Sequence, residues 1–387
     1  MKRRHFVTNT ALGAMGASGL GACSDRSNES TTAPEQVATS IKVNRPNVRW
    51  RMATSWPKSL QILFEAADLF CQQVNIMTNG HFVITPYPAG ELTDGLKVLQ
   101  GVRDGTVECG HSASYYYLEY GKALAFGTTM PFGLTASQQN AWLYFGGGLE
   151  AMQELYAELG IINFPGGNTG MQMGGWFKQK VKTIKDFSGL RMRVPGMGGL
   201  ILERLGVEIF SLPGDLIFSA LEENKIDAAE WKNPHADRTL GLDKVAPYYY
   251  YPGWWEPGTS YEFQVNLTEW NKLPSEYQEI FRAAATDVNA KMLAKFNAVN
   301  GKVLQEMILN GTQVLPFSHD ILQASYTKAF ELYEEMAAND QNFKKIYRQW
   351  QAFRAEVQDW NSINELEFSN SVTVSYTHLT LPTKRIM

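Results

Sequence analysis

Cysteine is scarce in this chain. Only Cys23, Cys71 and Cys109 occur in 387 residues, too few for a disulfide framework and too far apart for a CxxC metal or redox site. Basic charge is not in excess: 35 Lys and Arg face 39 Asp and Glu, a formal net charge of −4, which argues against a nucleic-acid partner. After the N-terminus no uninterrupted apolar run reaches the roughly 18 residues that a membrane span requires. A GxSxG elbow, a P-loop and an HExxH pair are all missing. The six histidines, at 5, 81, 111, 235, 319 and 378, stand apart from one another in sequence. Gly146-Gly147-Gly148 follows a helical, aromatic stretch and not a strand, the wrong context for a phosphate loop. These absences remove the motif-borne enzyme classes, and no other feature speaks for catalysis.

What is present is a foldable chain, 44% hydrophobic and 12% aromatic, long enough for a large core and about two domains. Its ends read differently from its middle. Residues 1–23 have the layout of an export signal: basic Lys2, Arg3 and Arg4, an Ala- and Gly-rich apolar stretch, and small residues leading to Cys23. Arg3-Arg4-His5-Phe6 suits a twin-arginine (Tat) signal as well as an ordinary Sec-type basic region, and Cys23 stands where a lipid anchor would attach. Residues 24–47, rich in Ser, Thr, Asn, Pro and Glu, read as a flexible tether. The folded part is therefore expected in the periplasm, held at a membrane surface. Residues 371–387 are read as a non-native tail, since Ser375 to Arg385 lacks helical periodicity and resembles translated adapter sequence; a native edge strand is the alternative.

Val48 to Ala53 alternates as a strand, Thr54-Ser55-Trp56-Pro57 breaks it, and Leu60, Leu63, Phe64, Ala67, Phe70, Cys71 and Val74 mark one helix face. Phe82-Val83-Ile84 returns as a strand, completing a βαβ unit whose ligand side lies beyond the strands' carboxyl ends. Cys71 and Cys109 read as buried thiols or as an oxidised pair. Leu99 to Gly110 and Leu221 to Trp231 echo each other as helix, tight turn and short strand, with Gly105 and Asn224 suited to a left-handed stop. Met171 to Phe177 and Leu190 to Gly196 read as strands, and from Leu273 onward the pattern is helical. The expectation is an α/β chain of two lobes with a hinge and long covering helices. Residues 48–167 with 263–368 form lobe I, and residues 168–262 form lobe II.

Arg193, near a strand end, can grip a carboxylate through two parallel hydrogen bonds, or serve in a structural ion pair. Glu230 leaves a strand of small residues, and Glu256 sits in Pro252-Gly253-Trp254-Trp255-Glu256-Pro257-Gly258. With the amide of Gln172 these carboxylates can cage a hard cation; capping or solvent-facing acids are the alternative.

Five ordered blocks carry a resemblance: Thr54-Ser55-Trp56-Pro57, Gly167 to Phe177, Arg191-Met192-Arg193-Val194-Pro195-Gly196, Asp227-Ala228-Ala229-Glu230-Trp231 and Tyr250 to Gly258. Together they resemble the solute receptors of tripartite ATP-independent periplasmic (TRAP) transporters, in the subgroup that binds 2-oxo acids. The resemblance implies a type II-like periplasmic-binding fold that captures a pyruvate-like monocarboxylate for TRAP membrane permease subunits, without catalysis. It implies that Arg193 grips the substrate carboxylate and that Gln172, Glu230, Trp231 (by its carbonyl) and Glu256 hold a metal ion. Gln172 and Trp231 then also meet the substrate, with Tyr117, Trp56 and Asn168 as pocket neighbours. Arginine, two glutamates and the ligand sum to a charge that Ca²⁺ would cancel, whereas the closer resemblance favours Na⁺. Two other readings are a receptor for a 2-hydroxy acid such as lactate with Ca²⁺, and a periplasmic lipoprotein enzyme working through Glu230 or Glu256. The stripe Tyr347, Trp350, Phe353, Val357 and Trp360 packs either on its own chain or in a homodimer.

Overall fold

A computed structural model describes residues 45–376. The export-signal reading, Cys23, nearly all of the tether and residues 377–387 lie outside the described residues. β1 (Val48–Thr54) buries Trp50 and Met52 and exposes Arg49 and Arg51, as its alternation requires. Helix Gln61–Met77 buries Leu63, Ala67, Phe70, Cys71 and Val74, and β2 (Phe82–Tyr87) returns parallel to β1. The other strands are β3 (Cys109–Ser112), β4 (Ile161–Asn168), β5 (Trp176–Phe177), β6 (Arg191–Arg193), β7 (Glu208–Phe210), β8 (Ala228–Ala229), β9 (Tyr248–Tyr251), β10 (Ser260–Asn266) and β11 (Gln313–Pro316).

They form two mixed sheets, in the orders β2-β1-β3-β10-β4 and β11-β9-β5-β8-β6-β7. The echo seen in sequence has a structural counterpart. Gly105 (φ +73°) and Asn224 (φ +59°) both stop a helix in the left-handed region. Each then leads into a strand, β3 or β8, that lies parallel to a neighbour. The chain passes from the first sheet to the second between β4 and β5, and back between β9 and β10. Helix Ser275–Leu309, 35 residues long, packs Phe281, Ala285, Val288 and Met292 into the core beneath the first sheet.

Three readings need adjustment. The strand expected over Met171 to Phe177 shrinks to Trp176–Phe177. Gly170 and Gly175 take φ of +72° and +82°, and at Gly175 a Cβ would lie 2.6 Å from the Ala229 carbonyl oxygen, so the segment is a turn pressed against β8. β11, inside residues 263–368, joins the second sheet through parallel pairing with β9, opened by Gln313 N–H to the Pro247 oxygen at 2.9 Å. Helix Glu365–Tyr376 carries regular structure into the suspected tail as far as Tyr376. Cys71 and Cys109 are buried free thiols, and burial pushes both well above the usual thiol range. No helix among the described residues is long and apolar enough to cross a membrane.

His111, on β3, joins the first sheet to the loop after β1. Its Nδ1 accepts from Trp56 Nε1 at 3.0 Å and its Nε2 lies 3.0 Å from the Gly166 oxygen. That pair of partners requires a neutral ring with the proton on Nε2. Burial lowers its pKa to about 4. Between that value and the ordinary 6.5 the unfolded chain binds the proton and the folded one does not. The contribution to stability, about 3 kcal/mol, is therefore complete above pH 6.5 and lost as pH falls toward 4. Urea unfolding is expected to show His111→Gln well below the parent protein at pH 7, with the gap narrowing at pH 4.5.

Candidate functional site

The site forms where parallel strands β6 and β8 end together. Register pairs Arg193 with Ala229, and Glu230 N–H donates to the Arg193 carbonyl at 2.9 Å. The side chains of Arg193 and Glu230 then emerge side by side beyond the carboxyl ends, where ligands bind in such sheets. Arg193 Nη1 donates to Glu230 Oε2 at 2.8 Å and to the Glu230 carbonyl at 2.9 Å, and Nε donates to the Leu212 carbonyl at 3.0 Å. The pair is almost wholly enclosed, at 2% and 0% side-chain exposure. The Trp231 ring is shared between two cations: the Arg193 guanidinium and Lys232 Nζ each lie 5.0 Å from its centroid.

Lys232 is the group that sequence reading missed. Its Nζ donates to the Tyr115 hydroxyl at 2.8 Å and lies 3.7 Å from Glu256 Oε2. Burial alone would lower the ammonium's pKa, but Glu256, Tyr261, Tyr116 and Glu230 together outweigh it and the net shift is upward. Its backbone N–H donates at 2.9 Å to Asp237, which also accepts from Trp176 Nε1 at 2.9 Å and Tyr249 OH at 2.7 Å. The charge count that pointed to Ca²⁺ omitted this ammonium. A lysine directly after Glu230-Trp231, at a strand end already suspected of facing a site, was the available signal.

Two of the segments that cross between sheets, β4 to β5 and β9 to β10, bring the remaining oxygens. Gln172 Nε2 donates to Thr259 Oγ1 at 2.7 Å and Thr169 Oγ1 at 3.1 Å, and Thr259 Oγ1 donates to Glu256 Oε2 at 2.7 Å. The amide hydrogens are thereby spent on the protein. Gln172 Oε1 and Glu230 Oε1 are both buried and have no hydrogen-bond partner. Two unpartnered acceptors in one dry cluster are costly to leave so. Burial, then the charge of Glu256, raises Glu230 well above the usual carboxyl range, against Arg193 and Lys232. Among the described residues no trio of His, Cys, Asp and Glu gathers as a metal cluster. A cation here would rely on two carboxylates supplemented by neutral oxygens, a donor set that suits a hard ion.

The pocket neighbours are only partly as expected. Tyr115, not Tyr117, reaches the site. Residues Ser114–Tyr117 form a 3₁₀ turn, whose three residues per turn aim successive rings about 120° apart. The Tyr117 hydroxyl turns away to share a 2.5 Å hydrogen bond with Ser112 Oγ. Trp56 is fully buried, spends its N–H on His111 and backs the site through its ring contact with Tyr261, 4.7 Å between centroids. Asn168 braces the turn that carries Gln172: Oδ1 accepts from Gly170 N–H at 2.8 Å and Nδ2 donates to the Gly258 carbonyl at 3.3 Å. Beside the site a cavity of about 390 Å³ is lined by Ser55, Tyr116, Asp94, Asp215 and Trp231, among others. Arg191 forms a half-exposed pair with Asp227 at 2.7 Å, on the surface.

Comparison with known proteins follows the same line. The profile of bacterial extracellular solute-binding protein, family 7, matches residues 52–340. A Nostoc protein named monocarboxylate 2-oxoacid-binding periplasmic protein is 50% identical over 375 residues, 97% of this chain and 100% of that one. A TRAP transporter solute-binding protein of Bordetella bronchiseptica, solved as a mixed-occupancy dimer with calcium and picolinate, is 40% identical. It has a TM-score of 0.85 and covers 87% of this chain and 100% of its own. A counterpart from Pseudoalteromonas atlantica, with bound sodium and pyruvate, is 36% identical with a TM-score of 0.82, covering 84% of this chain and 99% of its own.

The enclosure of Arg193 and Glu230 has a direct energetic consequence. Removing one partner strands the other's charge away from water, whereas removing both charges does not. Arg193→Met is expected to lower the unfolding free energy of the cation-free protein by about 3–5 kcal/mol. Arg193→Met combined with Glu230→Gln is expected to recover most of that loss in urea titrations.

Proposed function

The chain belongs to family 7 of the bacterial extracellular solute-binding proteins, and from that membership we propose that it is the receptor of a TRAP transporter. It captures a small 2-oxo monocarboxylate of the pyruvate class and delivers it, unaltered, to membrane permease subunits. The observation that carries this reading is one buried cluster holding both an arginine and two acceptor oxygens without donors. Arg193 commits Nε and Nη1 to the protein and keeps Nη2 for the ligand carboxylate. Gln172, Glu230, the Trp231 carbonyl and Glu256 hold a metal ion, which supplies positive charge for the carboxylate and its adjacent oxo oxygen. We take the ion to be Na⁺, with Ca²⁺ as the alternative. Tyr115 and Lys232 reach toward each other from the two sheets, so ligand that engages the cluster favours the closed arrangement of the lobes. Export by the N-terminal signal, and a lipid at Cys23, would set this site at the periplasmic face of the membrane.

Calorimetry with pyruvate, 2-oxobutyrate and lactate, each with Na⁺ or Ca²⁺, tests the reading. Pyruvate is expected to bind with a cation present, and Arg193→Ala to weaken it by about 2–5 kcal/mol. Tyr115→Phe should weaken binding while Tyr117→Phe leaves it unchanged. Preference for lactate with Ca²⁺ would move the substrate class to 2-hydroxy acids. Conversion of bound acid over hours, followed by NMR, would establish an enzyme instead. Failure of every monocarboxylate to bind, or full affinity in Arg193→Ala, would defeat the receptor reading.

The C-terminal stripe divides into two parts. Tyr347 and Trp350 are buried against Phe126 and Phe343 of their own chain. Trp360, Ile363 and Phe368 are 64%, 70% and 70% exposed on the last two helices. We assign this exposed part to a second copy of the chain, and the dimeric state of the Bordetella relative supports the assignment. Light scattering is expected to find a dimer in the parent protein and a monomer in Trp360→Glu/Ile363→Glu, with pyruvate affinity preserved.

A further inference from the structure

The polar atoms left without partners at the site are of two kinds. Gln172 Oε1 and Glu230 Oε1 are acceptors, and a cation suits both. The Tyr261 hydroxyl is also enclosed, in a residue 0% exposed, and has no hydrogen-bond partner among the described residues. A phenol carries a hydrogen to donate, and a metal ion has no use for it. Burial holds the group well above the ordinary phenol range, although Lys232 acts against it, so the proton stays on the oxygen. Left unpaired, such a group is costly to bury. The chemistry that answers it is an acceptor oxygen brought in from outside.

Several elements fix Tyr261 at this point. Register pairs it with Gly167 of β4, and the ladder then shifts so that Glu262 faces Pro165 and Gly166 is the extra residue. A bulge of this kind re-aims neighbouring side chains. The Gly166 carbonyl oxygen lies 3.0 Å from His111 Nε2, and a Cβ on Gly166 would come 2.5 Å from the Phe263 ring, so the bulge is pinned. The Tyr261 ring rests against Trp56, 4.7 Å between centroids. Lys232 Nζ lies 5.7 Å from the centroid of the same ring but donates to Tyr115 instead. Tyr261 therefore carries a hydroxyl from the first sheet up to the charged cluster of the second without bonding to it.

We propose that the Tyr261 hydroxyl is the first sheet's hydrogen-bond donor to the bound 2-oxo acid. This inference rests on the receptor reading above and adds a ligand-binding residue to it. Arg193 meets the anion from β6 of the second sheet and Tyr261 meets it from β10 of the first. One small anion then bonds to both sheets at once, which favours the arrangement in which the two are close. The cation takes the unpaired acceptors and the anion takes the unpaired donor.

The test uses the full chain and the variant Tyr261→Phe, which deletes one oxygen and keeps the ring against Trp56. Calorimetry with pyruvate, at a saturating concentration of whichever ion the parent uses, is expected to show the variant about ten- to a hundredfold weaker, the usual contribution of a hydrogen bond to a charged group. Two further readouts separate a ligand contact from a structural one. In chelator and sodium-free buffer without pyruvate, the urea midpoint of Tyr261→Phe is expected to equal or exceed that of the parent, because the hydroxyl has no protein partner to lose. Cation affinity measured without pyruvate is expected to be unchanged. A loss of pyruvate affinity below about tenfold overturns the inference while the receptor reading stands. So does a lowered urea midpoint, which would make the hydroxyl structural, or weakened cation binding without pyruvate, which would make it a metal ligand. If circular dichroism shows the variant unfolded, the full chain with fluorotyrosine in place of Tyr261 is used instead: its fluorine resonance is expected to move on addition of pyruvate, and a resonance that stays in place overturns the inference. Absence of pyruvate binding to the parent with either Na⁺ or Ca²⁺ overturns the receptor reading itself, and this inference with it.

Discussion

Two cations and two carboxylates buried together set the terms for the rest of the molecule. Each would be costly to bury alone, and each is tolerable only because its opposite lies within a few ångströms. The fold must therefore deliver four charged side chains to one point with little freedom. Parallel pairing of β6 and β8 does this for Arg193 and Glu230, whose backbones are hydrogen-bonded to one another. Lys232 is fixed one step further on by its backbone bond to Asp237. Glu256 comes from a different part of the chain, and Thr259 links it to Gln172.

That linkage gives the connections between sheets a chemical role. The segment from β4 to β5 carries Gln172, and the segment from β9 to β10 carries Glu256 and Thr259. Both segments are anchored in the two sheets at once, so the spacing of the acceptor oxygens depends on the relation of the sheets. Tyr115 approaches from the first sheet's side and closes on Lys232 from the second. A ligand that needs all of these groups at once selects a single arrangement of the two sheets.

Local rules made much of this legible in advance. The alternation of β1, the amphipathic face of helix Gln61–Met77 and the left-handed stops at Gly105 and Asn224 each depend on near neighbours, and each appears where periodicity and turn chemistry require. Arg193, Glu230, Glu256 and Gln172 stood out as polar groups in apolar surroundings, and the fold brings them together. What was not legible depended on long-range packing. Whether Tyr115 or Tyr117 faces the site turns on the pitch of one short 3₁₀ turn. The glycines around Met171 to Phe177 are explained only by distant neighbours: Gly170 lies against Asn297 and Leu293, Gly174 against Phe317, and Gly175 against Ala229 of β8. The enclosure of Lys232 depends on Tyr115, more than a hundred residues away, which its immediate neighbours do not reveal.

A receptor must also let its ligand go, and the pre-existing ion pairs bear on that. An arginine waiting unpaired in a dry cleft would bind an anion with the full strength of a desolvated charge. Arg193 is already engaged with Glu230 and three of its hydrogen bonds are spent on the protein. On the proposed reading, an incoming carboxylate would gain only the difference between a satisfied and a more completely satisfied guanidinium. Lys232 is likewise engaged before the anion arrives. On that reading the positions of the charges set selectivity, and the existing ion pairs hold down the net binding energy. A self-paired lining of this kind fits the proposed cycle of capture and release, with Gln172 Oε1 and Glu230 Oε1 left for a cation to coordinate.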